Sequence, residues 1–230
     1  MLTSEIHETR YDALLEPAIE RLRPVKRIWP VRLRLALWLL LELALLGTIA
    51  LIFPRADLHA HLHDLHYILV LGSFVLLGVA AAALALRTAI PGREASRPEL
   101  MLVGALALGA VLLVSRGTVA SHFSIGEFIR DGVPCMACTG LCAVLPWALL
   151  FWAVRRAAPL PLGVAGGLVG VAVFAFAFAA TRLGCPIDGR LHILIWHVLP
   201  ATAGAGLSVL AGTAWLRKQQ HGASLRKMPS

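Results

Sequence analysis

Apolar and polar positions alternate along this chain in blocks, with no period-two alternation. Six long uncharged runs, roughly Leu35–Phe53, Leu65–Leu86, Leu100–Ser115, Thr139–Val154, Leu160–Thr181 and Leu191–Leu216, are separated by short polar clusters. About 20 helical residues at 1.5 Å each cross a hydrocarbon core of about 30 Å. The third and fourth runs are short, so their ends are expected to borrow from the flanks, Pro98 and Glu99 for one and Pro134 to Cys138 for the other. Open strands cannot satisfy their backbone groups in lipid, so the pattern predicts an all-α fold, a polytopic bundle of six transmembrane helices. Glycines at 163 and 167, at 166 and 170, and at 204, 206 and 212 set up small-residue spacing that lets helices approach closely; packing within one bundle is the expectation. The six tryptophans lie mostly near the predicted boundaries, where an amphipathic ring is comfortable.

Composition agrees. Of 230 residues, 58% are apolar and only 15% charged, too little polar surface for a soluble domain. No cleavable signal peptide is expected at the front, because the first apolar run reads as a span. The net charge of +8 does not point to nucleic acid: most basic residues flank apolar runs. With six spans, 16 of the 21 Lys and Arg fall on one side, in the leading segment, the second and fourth loops and the trailing segment. Only Arg55, Arg116, Arg130, Arg182 and Arg190 fall on the other. The positive-inside rule then puts both termini in the cytoplasm of a bacterial inner-membrane protein. The expected organisation is a cytoplasmic amphipathic segment over 1–34, a six-helix membrane domain over 35–216 and a basic cytoplasmic tail over 217–230.

The leading segment carries its own signal. Leu14, Leu15, Ala18, Ile19 and Leu22 follow a three-to-four spacing, giving an apolar stripe that Pro24 terminates. A short lone helix is marginal in water, so this stripe needs the bilayer surface or a partner protein. Glu42, inside the first span, is an expensive carboxylate that pairs with Arg34 two turns away, stays neutral, or serves transport.

Metal-capable side chains gather on the outer face. The first outer loop reads ADLHAHLHDLHY, and on a helical end of the second span His59, His63 and His66 share a face while His61 points elsewhere. Such a set suits a borderline divalent ion or a solvated interfacial cap. His122 lies in the next outer loop. Cys135 and Cys138 form a CMAC pair, Cys142 follows one turn deeper, and Cys185 lies just past the fifth span. Cys135 and Cys185 are read as occupying short outer turns. In an oxidising compartment these thiols are available for disulfides, and CxxC alone fits metal binding and redox exchange equally. His192 and His197 are too few and too shallow to argue for haem.

The segment LLEPAIERLRPVKRIWPVRLRLALWLL, the VRRAAPLP turn at Val154–Pro161, the glycine-rich fifth span and CPIDGRLHILIWH at Cys185–His197 resemble the NrsF-type integral-membrane anti-sigma factors. That resemblance implies a non-enzymatic regulator that holds an extracytoplasmic-function sigma factor at the membrane through its N-terminal segment. Leu14, Leu15, Ile19, Leu22, Pro24 and Val25 are then the sigma-binding candidates. It implies signal sensing, of metal or oxidative stress, at outer-face cysteines similar to Cys135 and Cys185, with Cys138 able to stand in for Cys135. No resident cofactor is implied; a transient divalent metal at the outer face has Cys135 and Cys185 as candidate ligands by the resemblance, and His59, His63 and His66 by the spacing of the first outer loop, a histidine-rich stretch in which this chain departs from the family. Light or singlet oxygen is a further stimulus, and oligomeric state is left open. Two other classes fit parts of the pattern: a small transporter or metal-handling protein, from the histidines and Glu42, and a thiol oxidoreductase using Cys135 and Cys138.

Overall fold

The computed structural model describes residues 28–53, 55–119, 124–157 and 162–225, with side chains described as far as Ala214. Every regular element among them is helical: α1 (Val31–Ile52), the single turn α2 (Leu58–His61), α3 (Leu65–Thr88), α4 (Arg97–Ser115), α5 (Ile125–Arg155), α6 (Leu162–Gly184) and α7 (Arg190–Ile193). A wide π turn (Leu194–Val198) then runs into α8 (Leu199–Leu225). Six segments are long and apolar enough to cross a membrane, the last being Arg190–Ala214. The protein is an all-α, multi-pass membrane helix bundle.

The helices start and stop for local reasons. Pro30 precedes α1, and Asp64 opens α3 by accepting a hydrogen bond from the His66 backbone N–H at 2.9 Å. Glu99, in the first turn of α4, accepts from the Ser96 backbone N–H at 2.9 Å and forms an ion pair with Arg87, tying α4 to the end of α3. Gly92 supplies the positive φ of 79° that the intervening turn requires. α5 departs most from expectation, with 31 residues beginning at Ile125. At about 46 Å it outruns the hydrocarbon core. Its first turns carry Glu127, Arg130 and Asp131, so hydropathy does not register them, and Pro134 lies inside the helix with no N–H for the Arg130 carbonyl. Cys135 is therefore a helical residue, not part of a short outer turn.

α6 is the central post, buried along most of its length, whereas α1 and α4 mainly face outward. Its Gly and Ala positions make this possible. Gly166 lies against Ser208 and Gly212 of α8, where a Cβ would come within 2.9 Å of the Gly212 Cα. The Gly166 carbonyl accepts a hydrogen bond from the Ser208 hydroxyl at 2.7 Å. The small-residue spacing thus serves packing within the bundle. On the other side of α6, Phe178 stacks on Phe74 at 3.7 Å between centroids and Phe176 meets Trp38 edge to face at 5.4 Å. Trp38 is 5% exposed and donates to the Pro146 carbonyl, and Trp147 donates to Ser208. These two indoles are packing groups, not boundary anchors.

Arg34 does not pair with Glu42. It reaches across the end of the bundle near the termini and donates to the carbonyls of Ala153 (3.2 Å) at the end of α5 and Leu86 (3.5 Å) at the end of α3. Glu42 is 3% exposed, and its Oε1 has no hydrogen-bond partner among the described residues.

Candidate functional site

At the opposite end of the bundle, the turn from Cys185 to Gly189 joins α6 to α7 and sits in a dense polar frame. Arg55 and Arg182, each only 3% exposed, converge on Asp188. Arg55 donates to it at 2.8 and 3.2 Å and Arg182 at 2.6 Å, and Arg182 also donates to the Ile187 carbonyl at 3.0 Å. Arg55 further holds Asp57 at 2.6 and 2.9 Å. Tyr67 donates to the Arg182 carbonyl at 2.9 Å, Thr118 to the Asp188 carbonyl at 3.1 Å, and the Arg190 backbone N–H to the Thr118 carbonyl at 2.8 Å. The turn is thereby fastened to the loop before α2, to α3 and to the segment after α4. Burial pushes the Asp188 carboxyl upward, but the hydrogen bonds from Arg55 and Arg182 outweigh it and hold it below its ordinary range. Burial draws Arg55 downward, and its bonds to Asp57 and Asp188 raise it above its ordinary value instead.

This frame sets Cys185 against α5. The Cys135 thiol donates to Cys185 Sγ at 3.5 Å, and one turn deeper the hydroxyls of Thr139 and Thr181 meet at 3.0 Å. Both thiols are free. His192 Nε2 lies 3.6 Å from Cys185 Sγ, and His197 stands beside His192 with 5.4 Å between ring centroids. Phe128 of α5 borders His192 and packs in turn on Trp196 of the π turn, and Phe178 of α6 meets the ring of His197. Gly132 makes room for Trp196, because a Cβ there would overlap the indole. The Cys135 hydrogen bond holds the Cys185 thiol below its ordinary range against its burial, with His192 adding to the effect.

Cys135, Cys185, His192 and His197 offer ligand atoms that all lie within 4.8 Å of one another, the chemistry of a thiophilic cation site. Asp57, His61 and Asp188 form a second such group, harder in character and more exposed. These two are the converging groups among the described residues.

The sequence-derived candidates distribute unevenly. Cys135 and Cys185 come together. Cys138 turns to Cys142 at 3.9 Å between sulfurs, so the CMAC motif is split: each of its thiols faces a different partner. His59, His63 and His66 do not join the cysteines. The chain breaks its helix between α2 and α3, where Asp64 caps a new one, so the spacing that would align three rings on one helix is lost. His59 and His63 pack ring to ring at 5.0 Å and are exposed. His61 instead reaches Asp57 at 3.0 Å and Asp188 at 3.3 Å. His122 and the stripe of Leu14, Leu15, Ile19, Leu22, Pro24 and Val25 lie outside the described residues. His197 and the Arg55–Asp188–Arg182 cluster escape sequence reasoning, although Arg182, Cys185, Asp188 and His192 stand within eleven residues of one another.

Residues 19–217, nearly the whole of the chain, match the family model described as "Negative regulator of sigma F", NrsF. The chain belongs to the NrsF family. Comparison with curated proteins and with solved structures yields no match. Membership makes this bundle a membrane regulatory protein, and the matched range takes in both thiols, both histidines and the arginine–aspartate frame.

Proposed function

We propose that this NrsF-family protein holds an extracytoplasmic-function sigma factor at the bacterial inner membrane and releases it when metal or oxidative stress acts on Cys135 and Cys185. The apposition of these two thiols, 3.5 Å apart, one on α5 and the other in the turn after α6, is the observation that carries the sensing role. A bond or a bridging ion between them ties α5 to the turn after α6, and so reaches the whole hairpin.

Orientation follows the charge. By the order of the spans, sixteen of 21 basic residues are assigned to the side of the termini, and three of the five assigned to the other side are held by carboxylates, Arg55 and Arg182 by Asp188 and Arg130 by Asp131. Unbalanced positive charge is thus concentrated at the end assigned to the cytoplasm. Residues 1–34 form the sigma-binding segment, 35–216 the membrane domain and 217–230 a basic tail. In the segment Leu14, Leu15, Ile19 and Leu22 enter an apolar groove of the sigma factor, with Pro24 and Val25 closing the contact, a helix-in-groove mode that carries its ordering cost on binding.

A physical link between the ends supports this. Arg34, the last residue of the segment, grips the carbonyl of Ala153 on α5, the helix that carries Cys135 toward its other end. Movement of α5 therefore reaches the root of the sigma-binding segment. Shifting a sigma factor from 99:1 bound to 1:99 takes about 5.5 kcal/mol of differential free energy. A tied thiol pair contributes a few kcal/mol of it, and removal of the anti-sigma protein by proteolysis supplies the remainder.

The test is a pull-down of the sigma factor on the full-length protein from detergent extracts. Leu15→Asp with Ile19→Asp is expected to release it without lowering the protein's abundance. Retention at the wild-type level would remove the segment from the binding role. A reporter active only in the cytoplasm should work when fused after Ser4 and after Ser230 and fail when fused near His61.

A further inference from the structure

The thiol pair does not stand alone. We propose that Cys135, Cys185, His192 and His197 form one closed, four-coordinate site for a thiophilic divalent cation of the zinc class, with both histidines as ligands. This deepens the sensing role proposed above for Cys135 and Cys185, on which its regulatory meaning rests.

Ligand spacing is the first support. Tetrahedral zinc with Zn–S near 2.3 Å and Zn–N near 2.0–2.1 Å requires neighbouring ligand atoms about 3.3–3.8 Å apart. Cys135 Sγ to Cys185 Sγ is 3.5 Å and Cys185 Sγ to His192 Nε2 is 3.6 Å, while all four ligand atoms fit within 4.8 Å. The other ligand-atom pairs lie within 4.8 Å, so an inward movement of about 1 Å or less separates this arrangement from a coordination shell.

His197 is the second, independent support. It is 0% exposed, neither of its ring nitrogens makes a hydrogen bond of normal geometry among the described residues, and the polar group it faces is the Cys185 thiol. A buried imidazole without partners is costly and calls for an explanation. A cation bound by the neighbouring thiolates supplies the partner it lacks. A disulfide between Cys135 and Cys185 would not: it passes two electrons to an external oxidant, joins the sulfurs and leaves both His197 nitrogens as they are.

The backbone is built to bring the two rings together. On an α-helix, residues five apart point about 140° away from each other. The π turn over Leu194–Val198 has about 4.4 residues per turn, which swings His197 back toward the face of His192. Pro200 favours this widening, since it has no N–H for the Trp196 carbonyl and its ring crowds that group. Gly132 then admits the Trp196 indole that the wide turn projects toward α5.

Charge agrees with the setting. Two thiolates balance a divalent cation, so the loaded site with neutral imidazoles carries no net charge and can remain buried. Loading exchanges two thiol protons for one cation. Cys185, His192 and His197 are buried and Cys135 is half-buried, which makes the Cys135 side the route of entry.

The experiment uses reduced full-length protein in detergent, titrated with Co2+ as the spectroscopic probe and back-titrated with Zn2+. The expected result is one Co2+ per chain, with thiolate-to-cobalt charge transfer and intense tetrahedral ligand-field bands that Zn2+ abolishes. Removing a ligand should exceed the 10–100-fold loss typical of groups that merely orient one, so His197→Leu and His192→Gln should each weaken Co2+ by more than about 100-fold. Helical circular dichroism checks that both variants fold. Wild-type Co2+ affinity and spectrum in both histidine variants would overturn the proposal, as would absence of the charge-transfer band in the wild type. A sigma-dependent reporter in cells, challenged with Zn2+ or Cd2+, separates this from the sensing role. If Cys135→Ser still responds while the purified wild type forms the four-ligand complex, the sensing role fails and the site stands. If the cysteine variants lose the response while the histidine variants bind and respond normally, the histidine ligands fail and the sensing role stands.

Discussion

Two groups of histidines sit at the same end of this molecule, and they differ in every respect that matters for chemistry. His59, His61, His63 and His66 are crowded within eight residues, but the helix break at Leu62–Asp64 scatters them, and two of the four are exposed. His192 and His197 are sparse in sequence, buried, and meet two thiols contributed by α5 and the turn after α6. Density along the chain did not produce convergence in space. Convergence came from a π turn, a glycine beneath an indole and a turn held by two buried arginines. The two thiol pairs repeat the lesson. Cys138 and Cys142 occupy consecutive turns of one helix, so joining them constrains nothing beyond that helix, whereas joining Cys135 to Cys185 constrains two elements.

The largest expected effect separates the groups by function. Cys135→Ser and Cys185→Ser should each abolish induction of a sigma-dependent reporter by metal or oxidant while the protein still accumulates and binds the sigma factor, as immunoblot and pull-down would record. Normal induction in both would shift the input toward the loop histidines. Depletion of the protein, or constant release, would make the pair a permanent structural element instead.

Asp188 tests the connection between the groups, because His61 meets the Cys185 turn at that carboxylate, 3.3 Å away. Asp188→Asn leaves Arg55 and Arg182 buried without their shared counter-charge, an expected loss of about 3–5 kcal/mol read by thermal unfolding in detergent. The pH dependence has a definite sign. Asp188 titrates below its ordinary value, so its stabilisation is complete above about pH 4, the unfolded carboxylate value, and disappears as pH falls through the lower folded value. Wild-type stability should fall along that acid limb, and the Asn variant should be flatter there.

A smaller effect of opposite sign is expected at His197. With a chelator present, His197→Leu replaces an unpartnered buried imidazole by an apolar group of similar size and should stabilise the metal-free protein by about 1–3 kcal/mol. The same change should weaken cobalt binding by more than about 100-fold. Destabilisation of the metal-free protein would mean that the imidazole has a partner after all.

The smallest effect belongs to the conspicuous loop. Replacing His59, His63 and His66 together by Ala should shift stability by no more than about 0.5 kcal/mol per site and leave induction unchanged. A lost metal response in that triple variant would make the exposed loop, and not the buried histidine pair, the metal input.

The sequence by itself determined the class of this protein. Six apolar runs of membrane length, a 16-to-5 division of basic residues and a glycine-rich fifth span are one-dimensional patterns, and lipid allows few ways to satisfy a backbone, so they translate almost directly into a six-helix bundle. Cys135 and Cys185 were legible as candidates, because an antiparallel hairpin returns both to one end. Hydropathy did not reveal the extra turns at the start of α5, since 125–133 is amphipathic and Pro134 reads as a stop although a helix can pass it. Neither did spacing reveal His197 as a neighbour of His192, because its five-residue offset points away on a regular helix and toward its partner only across a π turn. The roles of Asp188, Arg55 and Arg182 also had to wait for the fold, since one carboxylate meeting two buried guanidiniums, one of them 133 positions away, is set by how the loops stack. Periodic patterns report which face meets lipid; which side chains meet one another depends on helix register and rotation, and these are decided by packing.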